Sequence, residues 1–115
     1  MTRFENLEKV RESVGAHELI KKYPGRIPLI ALRHASCPPE IRPERTRYLI
    51  PRDLQFGCIH EVIRRRIHLD ARQSLFVFCN NSLLPLNQNV CQIYDKYASE
   101  DGFLYVYYSL ENTFG

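Results

Sequence analysis

The chain has 115 residues, 44% of them hydrophobic and 25% charged, ordinary values for one compact domain that buries roughly two thirds of its unfolded surface without staples. No run approaches the ~20 apolar residues of a membrane span, and Met1-Thr2-Arg3-Phe4-Glu5-Asn6 lacks the basic start and apolar stretch of a signal peptide, so a cytosolic or nuclear protein is expected. The net charge of +3 is uneven: residues 1–72 hold 15 of the 16 Lys and Arg, and 12 of the 16 are Arg, which suits acidic peptides, lipid headgroups or nucleic acid.

From Phe4 to Lys22 the positions Phe4, Leu7, Val10, Val14 and Leu19 fall near helical spacing, which predicts a helical segment with a break near Gly15. Tyr23-Pro24-Gly25 ends it. Ile27-Pro28-Leu29-Ile30-Ala31-Leu32 reads as a strand whose proline belongs near an end or an edge. Cys37-Pro38-Pro39 and Pro43 mark a basic loop, and Thr46-Arg47-Tyr48-Leu49-Ile50-Pro51 reads as the second arm of a hairpin. Asp53 can cap a helix carrying Ile59, Val62, Ile63 and Ile67 on one face and ending near Leu69. Ser74 to Cys79 is apolar on both faces and is expected to be a central strand. Asn80-Asn81-Ser82 turns the chain, Val90, Ile93, Tyr94 and Tyr97 mark a short helix, and Phe103 to Tyr108 is a fourth strand. This order describes an α+β protein: a four-stranded mixed sheet crossed by its main helix, the β-grasp or ubiquitin-like arrangement, with an N-terminal helical extension. The expected divisions are residues 1–22, the extension; 23–109, the domain; and 110–115, a polar tail.

The cysteines, Cys37, Cys58, Cys79 and Cys91, form no C-x-x-C pair, so no zinc site, other metal centre or disulfide framework is written locally. Reduced, partly buried thiols are expected, with Cys37 beside its prolines the exposed one. Cys58 and His60 stand two residues apart on a helix and do not face each other, which argues against a thiol nucleophile and against an enzyme. Arg64-Arg65-Arg66 with Arg72 admits a nucleic-acid stripe, but no stacking-aromatic signature accompanies it, and a solvated helix face is the commoner outcome.

Five blocks carry a resemblance: Lys21-Lys22-Tyr23-Pro24-Gly25-Arg26-Ile27-Pro28, Arg47-Tyr48-Leu49-Ile50-Pro51-Arg52-Asp53-Leu54, Ile63-Arg64-Arg65-Arg66-Ile67-His68-Leu69, Leu75-Phe76-Val77-Phe78-Cys79-Asn80-Asn81 and Phe103-Leu104-Tyr105. In order and spacing they resemble the autophagy ubiquitin-like modifiers, the family of the GABA-receptor-associated protein and the microtubule-associated light chain. The resemblance implies a modifier without cofactor. Its C-terminal glycine is joined to phosphatidylethanolamine on autophagosomal membranes after passing through thioesters on activating and conjugating enzymes. It also implies a cysteine protease as a partner. Phe114-Gly115 matches the mature end, which fits either a product needing no trimming or one already cut. Phe76 and Phe78 match positions tied to processing and conjugation.

The resemblance further implies docking of acidic aromatic-x-x-aliphatic motifs from cargo receptors by addition to a sheet edge. Leu19, Pro28, Arg47, Leu49 and Phe103 match an aromatic pocket, and Tyr48, Ile50, Pro51, Leu54, Ile59 and Val62 an aliphatic one. Arg45, Arg47 and Arg66 would meet carboxylates. Plain core packing is the competing reading for Leu19, Leu49, Ile50, Val62 and Phe103. The chain departs from the family at Ile59, where a phenylalanine is frequent, and at Gly102, where an aromatic pair is common. It also begins without the additional helix that most relatives carry. An unconjugated peptide-binding adaptor and a basic RNA-binding module are the alternatives.

Overall fold

Prolines and glycines divide the chain into the elements of one mixed sheet. The computed structural model describes residues 14–111 and, by backbone alone, residues 5–6. In chain order the elements are β1 (Glu5–Asn6), α1 (Ala16–Lys22), β2 (Arg26–Arg33), β3 (Arg45–Pro51), α2 (Phe56–Arg66), β4 (Phe76–Cys79), β5 (Ser82–Leu83), α3 (Val90–Tyr97) and β6 (Leu104–Ser109). Among the described residues the sheet order is β1-β3-β2-β6-β4-β5. Strands β2 and β3 pair antiparallel from Arg26↔Pro51 to Leu32↔Arg45, and β2 and β6 pair parallel from Leu29↔Leu104 to Arg33↔Tyr108. The four expected strands are therefore present, and the two-residue strands β1 and β5 extend the sheet at its edges.

Side-chain alternation along the strands builds two apolar layers. On one face Ile27, Leu29, Tyr48, Ile50, Val77, Leu104 and Val106 pack with Phe56, Ile59 and Ile63 of α2 and with Val90 and Ile93 of α3. On the other, Ile30 and Leu49 pack with Ala16 and Leu19 of α1 and with Phe103. Asn80 and Asn81 have φ of 49° and 66°. They make a two-residue hairpin loop between Cys79 and its partner Ser82, as expected of asparagines that tolerate left-handed backbone.

Several expectations need correction. The N-terminal helix is seen from Ala16 to Lys22, but Glu5–Asn6 is strand, and residues 7–13 lie outside the described part. Pro28, third of the eight residues of β2, lies near an end of its strand as expected, but the strand is internal, between β3 and β6; it falls just before pairing with β6 begins at Leu29, where a missing amide interrupts the ladder least. Strand β4 is not central: it lies between β6 and the short β5. Its second apolar face is covered from the loop after β2, where the His34 ring lies 6.2 Å from Phe78.

Helix α2 begins at Phe56, with Gln55 rather than Asp53 at its N-cap. Its start is fixed from a distance, by a Gln55↔Asn89 bridge and a 2.8 Å bond from the Phe56 amide to the Gln88 carbonyl. The helix stops at Arg66, and the chain turns at His68, φ 57°. Cys37 is buried, 4% exposed. Its loop is pinned down: the Arg33 guanidinium donates to the Pro39 and Ile41 carbonyls at 2.9 and 3.1 Å, and the Ser36 and Ser109 hydroxyls lie 2.9 Å apart.

Candidate functional site

Strand β3 organises the candidate site because its alternation divides the predicted residues between the two faces of the sheet. Leu49 joins Leu19 and Phe103 in the α1-side layer, with Pro28 as its cross-strand partner. Tyr48 and Ile50 join Ile59 in the α2-side layer, with Leu54 and Val62 half-buried against it. Leu19, Leu49 and Phe103 of one set implied by resemblance and Tyr48, Ile50, Leu54, Ile59 and Val62 of the other therefore lie in two clusters on opposite faces. Pro51 closes β3 and is half-buried.

The lining is more buried than pockets open to solvent would be. Leu49 and Ile50 are 0% exposed, Leu19 is 3% and Phe103 is 8%. Arg47, with its guanidinium on a long aliphatic stem, is also buried, whereas Arg45 is exposed and Arg66 half-buried. Core packing thus describes Leu19, Leu49, Ile50 and Phe103 in this state, and Val62 and Leu54 form the half-exposed rim. The Phe103 turn is held by Asp101, whose carboxylate accepts from the Phe103 amide at 2.9 Å and from the Tyr105 hydroxyl at 2.5 Å. That second bond, to an anion, raises the Tyr105 pKa. The Tyr94 hydroxyl donates to the Gly102 carbonyl at 2.7 Å, tying the same turn to α3.

Phe76 and Phe78 line separate clefts. Phe78 borders a cleft of about 380 Å³ with His34, Asn80, Asn81 and Tyr107, and Phe76 one of about 210 Å³ with His60, Leu75, Leu83 and Leu86. The sequence assigns no binding role to His34 or Tyr107; Tyr107 stands two residues from Tyr105 on β6. Phe114 and Gly115 lie outside the described residues.

The remaining functional readings meet local geometry. Arg64 donates to the Asp70 and Gln73 carbonyls at 2.9 and 2.5 Å, Arg65 pairs with Glu61 at 3.5 Å, and Arg72 with Asp70 at 3.7 Å. Arg64 and Arg72 thus hold the α2–β4 connection, while Arg65 pairs within α2 on its exposed face. His60 places Nε2 2.9 Å from the Leu75 carbonyl, away from Cys58. None of the four cysteines is in a disulfide; Cys37 and Cys79 are buried and Cys58 and Cys91 half-buried. Burial raises the Cys37 pKa and pushes that of Cys79 up to about 11. Among the described residues no helix is long and apolar enough to cross a membrane.

A mixed sheet with a crossing helix and a β3 edge between two apolar clusters defines the class as a ubiquitin-like protein. Comparison narrows it. Residues 11–115 match the family described as Autophagy protein Atg8 ubiquitin like. Autophagy-related protein 8c of Arabidopsis thaliana is 43% identical over 106 residues, 91% of this chain and 87% of the relative. Autophagy-related protein 8h of the same plant is 37% identical over 114 residues, 98% and 92% of the two chains. The crystal structure of Trypanosoma brucei ATG8 superposes with a TM-score of 0.72 at 35% identity, covering 82% of this chain and 80% of that one. The chain belongs to the Atg8 family of autophagy ubiquitin-like proteins.

Proposed function

We propose that the chain is a conjugated modifier that links membranes to cargo receptors. The carboxyl of Gly115, carried as an enzyme thioester, is attacked by the amine of phosphatidylethanolamine; an amide forms and the enzyme thiol leaves. Glycine suits this transfer because no Cβ crowds its carbonyl. The partners are then the activating and conjugating enzymes, and a cysteine protease that cleaves after the glycine. The protein would exist in a cytosolic form and a form attached to autophagosome membranes.

Docking of receptor peptides rests on one observation above all: β3 separates the two predicted residue sets onto opposite faces. In an extended peptide, residues i and i+3 also point to opposite faces and stand about 10 Å apart. An aromatic-x-x-aliphatic segment added along β3 can therefore present one anchor to each cluster, while backbone bonds hold it between them. Arg45, Arg47 and Arg66 supply charge for the motif's carboxylates, with more effect on specificity and association rate than on affinity.

Two measurements test this. Intact mass after incubation with ATP, the family's activating and conjugating enzymes and phosphatidylethanolamine liposomes should rise by one lipid less one water, and should not rise for Gly115→Ala. No gain, in a mixture where a family member reacts, would leave an unconjugated adaptor. For docking, Val62→Asp at the half-exposed rim should weaken a Trp-x-x-Leu peptide at least tenfold without unfolding the protein; an unchanged Kd would overturn the surface.

A further inference from the structure

The β3 edge is already paired within the chain. Backbone pairing of β1 with β3 sets Glu5 opposite Leu49 and Asn6 opposite Tyr48, antiparallel. This is where an added peptide strand would lie. In sequence, Glu5 and Asn6 are the middle of Phe4-Glu5-Asn6-Leu7-Glu8: an aromatic, two residues of which one is acidic, an aliphatic and a further acid. On β3 the positions flanking Tyr48 and Leu49, namely Arg47 and Ile50, lie on opposite faces of the sheet. We propose that this N-terminal segment is an internal ligand of the docking edge, competing in cis with receptor peptides of the same aromatic-x-x-aliphatic chemistry. The proposal rests on the docking reading above.

Charge and connection both favour the pairing. The segment carries Glu5 and Glu8, while β3 carries Arg45 and Arg47. Residues 7–15 alone join β1 to α1, and a tether this short gives an effective concentration on the order of 1 mM. A motif whose free dissociation constant is only about 0.1 mM would then occupy the edge in roughly nine molecules of ten, which weakens a competing peptide about tenfold. Self-occupancy of this kind sets a threshold: weak motifs are excluded and strong or multivalent ones displace the segment.

The test is a fluorescent acidic Trp-x-x-Leu peptide titrated into the full chain and into Phe4→Ala/Leu7→Ala. The variant should bind about tenfold more tightly. The Tyr48 and Leu49 amides point to opposite sides of β3; in hydrogen exchange run in parallel, the one facing β1 should exchange faster in the variant than in the full chain without peptide, and the one facing β2 should not. Equal affinities for the two proteins, within twofold, would overturn the internal ligand and leave docking standing. Binding by neither would overturn docking, and the internal ligand with it. A gain that disappears when the protein is diluted would place the segment on a second copy and overturn the competition in cis. A second variant, Asn6→Pro, removes an amide from β1 and should reproduce the gain without altering either flanking anchor.

Discussion

Gly102 holds α1 against the Phe103 turn at a distance that a side chain would forbid. Its φ is +90°, and a Cβ there would lie 2.9 Å from the Ala16 Cβ. Both effects oppose any other residue at this position. Gly102→Ala should cost about 2 kcal/mol, from left-handed strain and overpacking together; an unchanged urea midpoint would mean that α1 does not rest on this turn. The thiols give a second residue-scale prediction. Cys37 and Cys79 are buried and their pKa values are raised, so neither offers thiolate near neutral pH. A thiol reagent at pH 8 should modify Cys58 and Cys91 in the folded protein and reach Cys37 and Cys79 only on unfolding. Rapid modification of Cys37 would contradict the pinned loop that buries it.

At the scale of elements, α3 depends on the capping turn at its start. The Asn89 amide donates to the Gln92 Oε1 at 3.0 Å, one half of a capping box, and Asn89 also bridges to Gln55 ahead of α2. Gln92→Ala removes that acceptor and should therefore cost about 1 kcal/mol; a melting temperature within a degree of the parent would show that the cap carries little. This coupling also explains what the sequence could convey. The apolar spacing of Ile59 and Ile63, the β-rich runs of β2, β3 and β6, and the Asn80-Asn81 turn are local signals, and each led to the observed element. The start of α2 was misplaced because the strand-like bridge that sets it comes from residue 89, far along the chain. Strands β1 and β5 span two residues each, too short for any periodicity to register. The two-sided apolar pattern of β4 was real, but its cover is the His34 loop rather than a neighbouring long strand.

For the whole molecule, the two residue sets of the candidate site came from the resemblance, and their division between two faces is explained by the alternation of positions 47 and 49 with 48 and 50 along an extended strand. The burial of Leu49 and Phe103 and the presence of β1 along β3 were not, because both depend on which segments return to the edge. Burial has a further global consequence through titration. The Tyr108 hydroxyl donates to the Pro43 carbonyl at the end of the pinned loop, and burial pushes its pKa up to about 12. Tyr94 and Tyr105 are raised as well, and Cys79 to about 11. All these groups are neutral when protonated, so the fold disfavours their ionised forms. Below about pH 8 folded and unfolded chains hold the same protons at these sites and the full stability is present. As pH rises from about 8, where the unfolded Cys79 thiol starts to ionise, and then past about 9, where the tyrosines follow, the unfolded chain loses protons first and stability falls. Tyr108→Phe should lower stability at pH 7 by about 1 kcal/mol for the lost hydrogen bond and make the decline between pH 10 and 12 shallower. Denaturant midpoints measured at pH 7, 9, 10 and 11 for both proteins check this, and parallel declines would show that Tyr108 does not govern the alkaline limit of the fold.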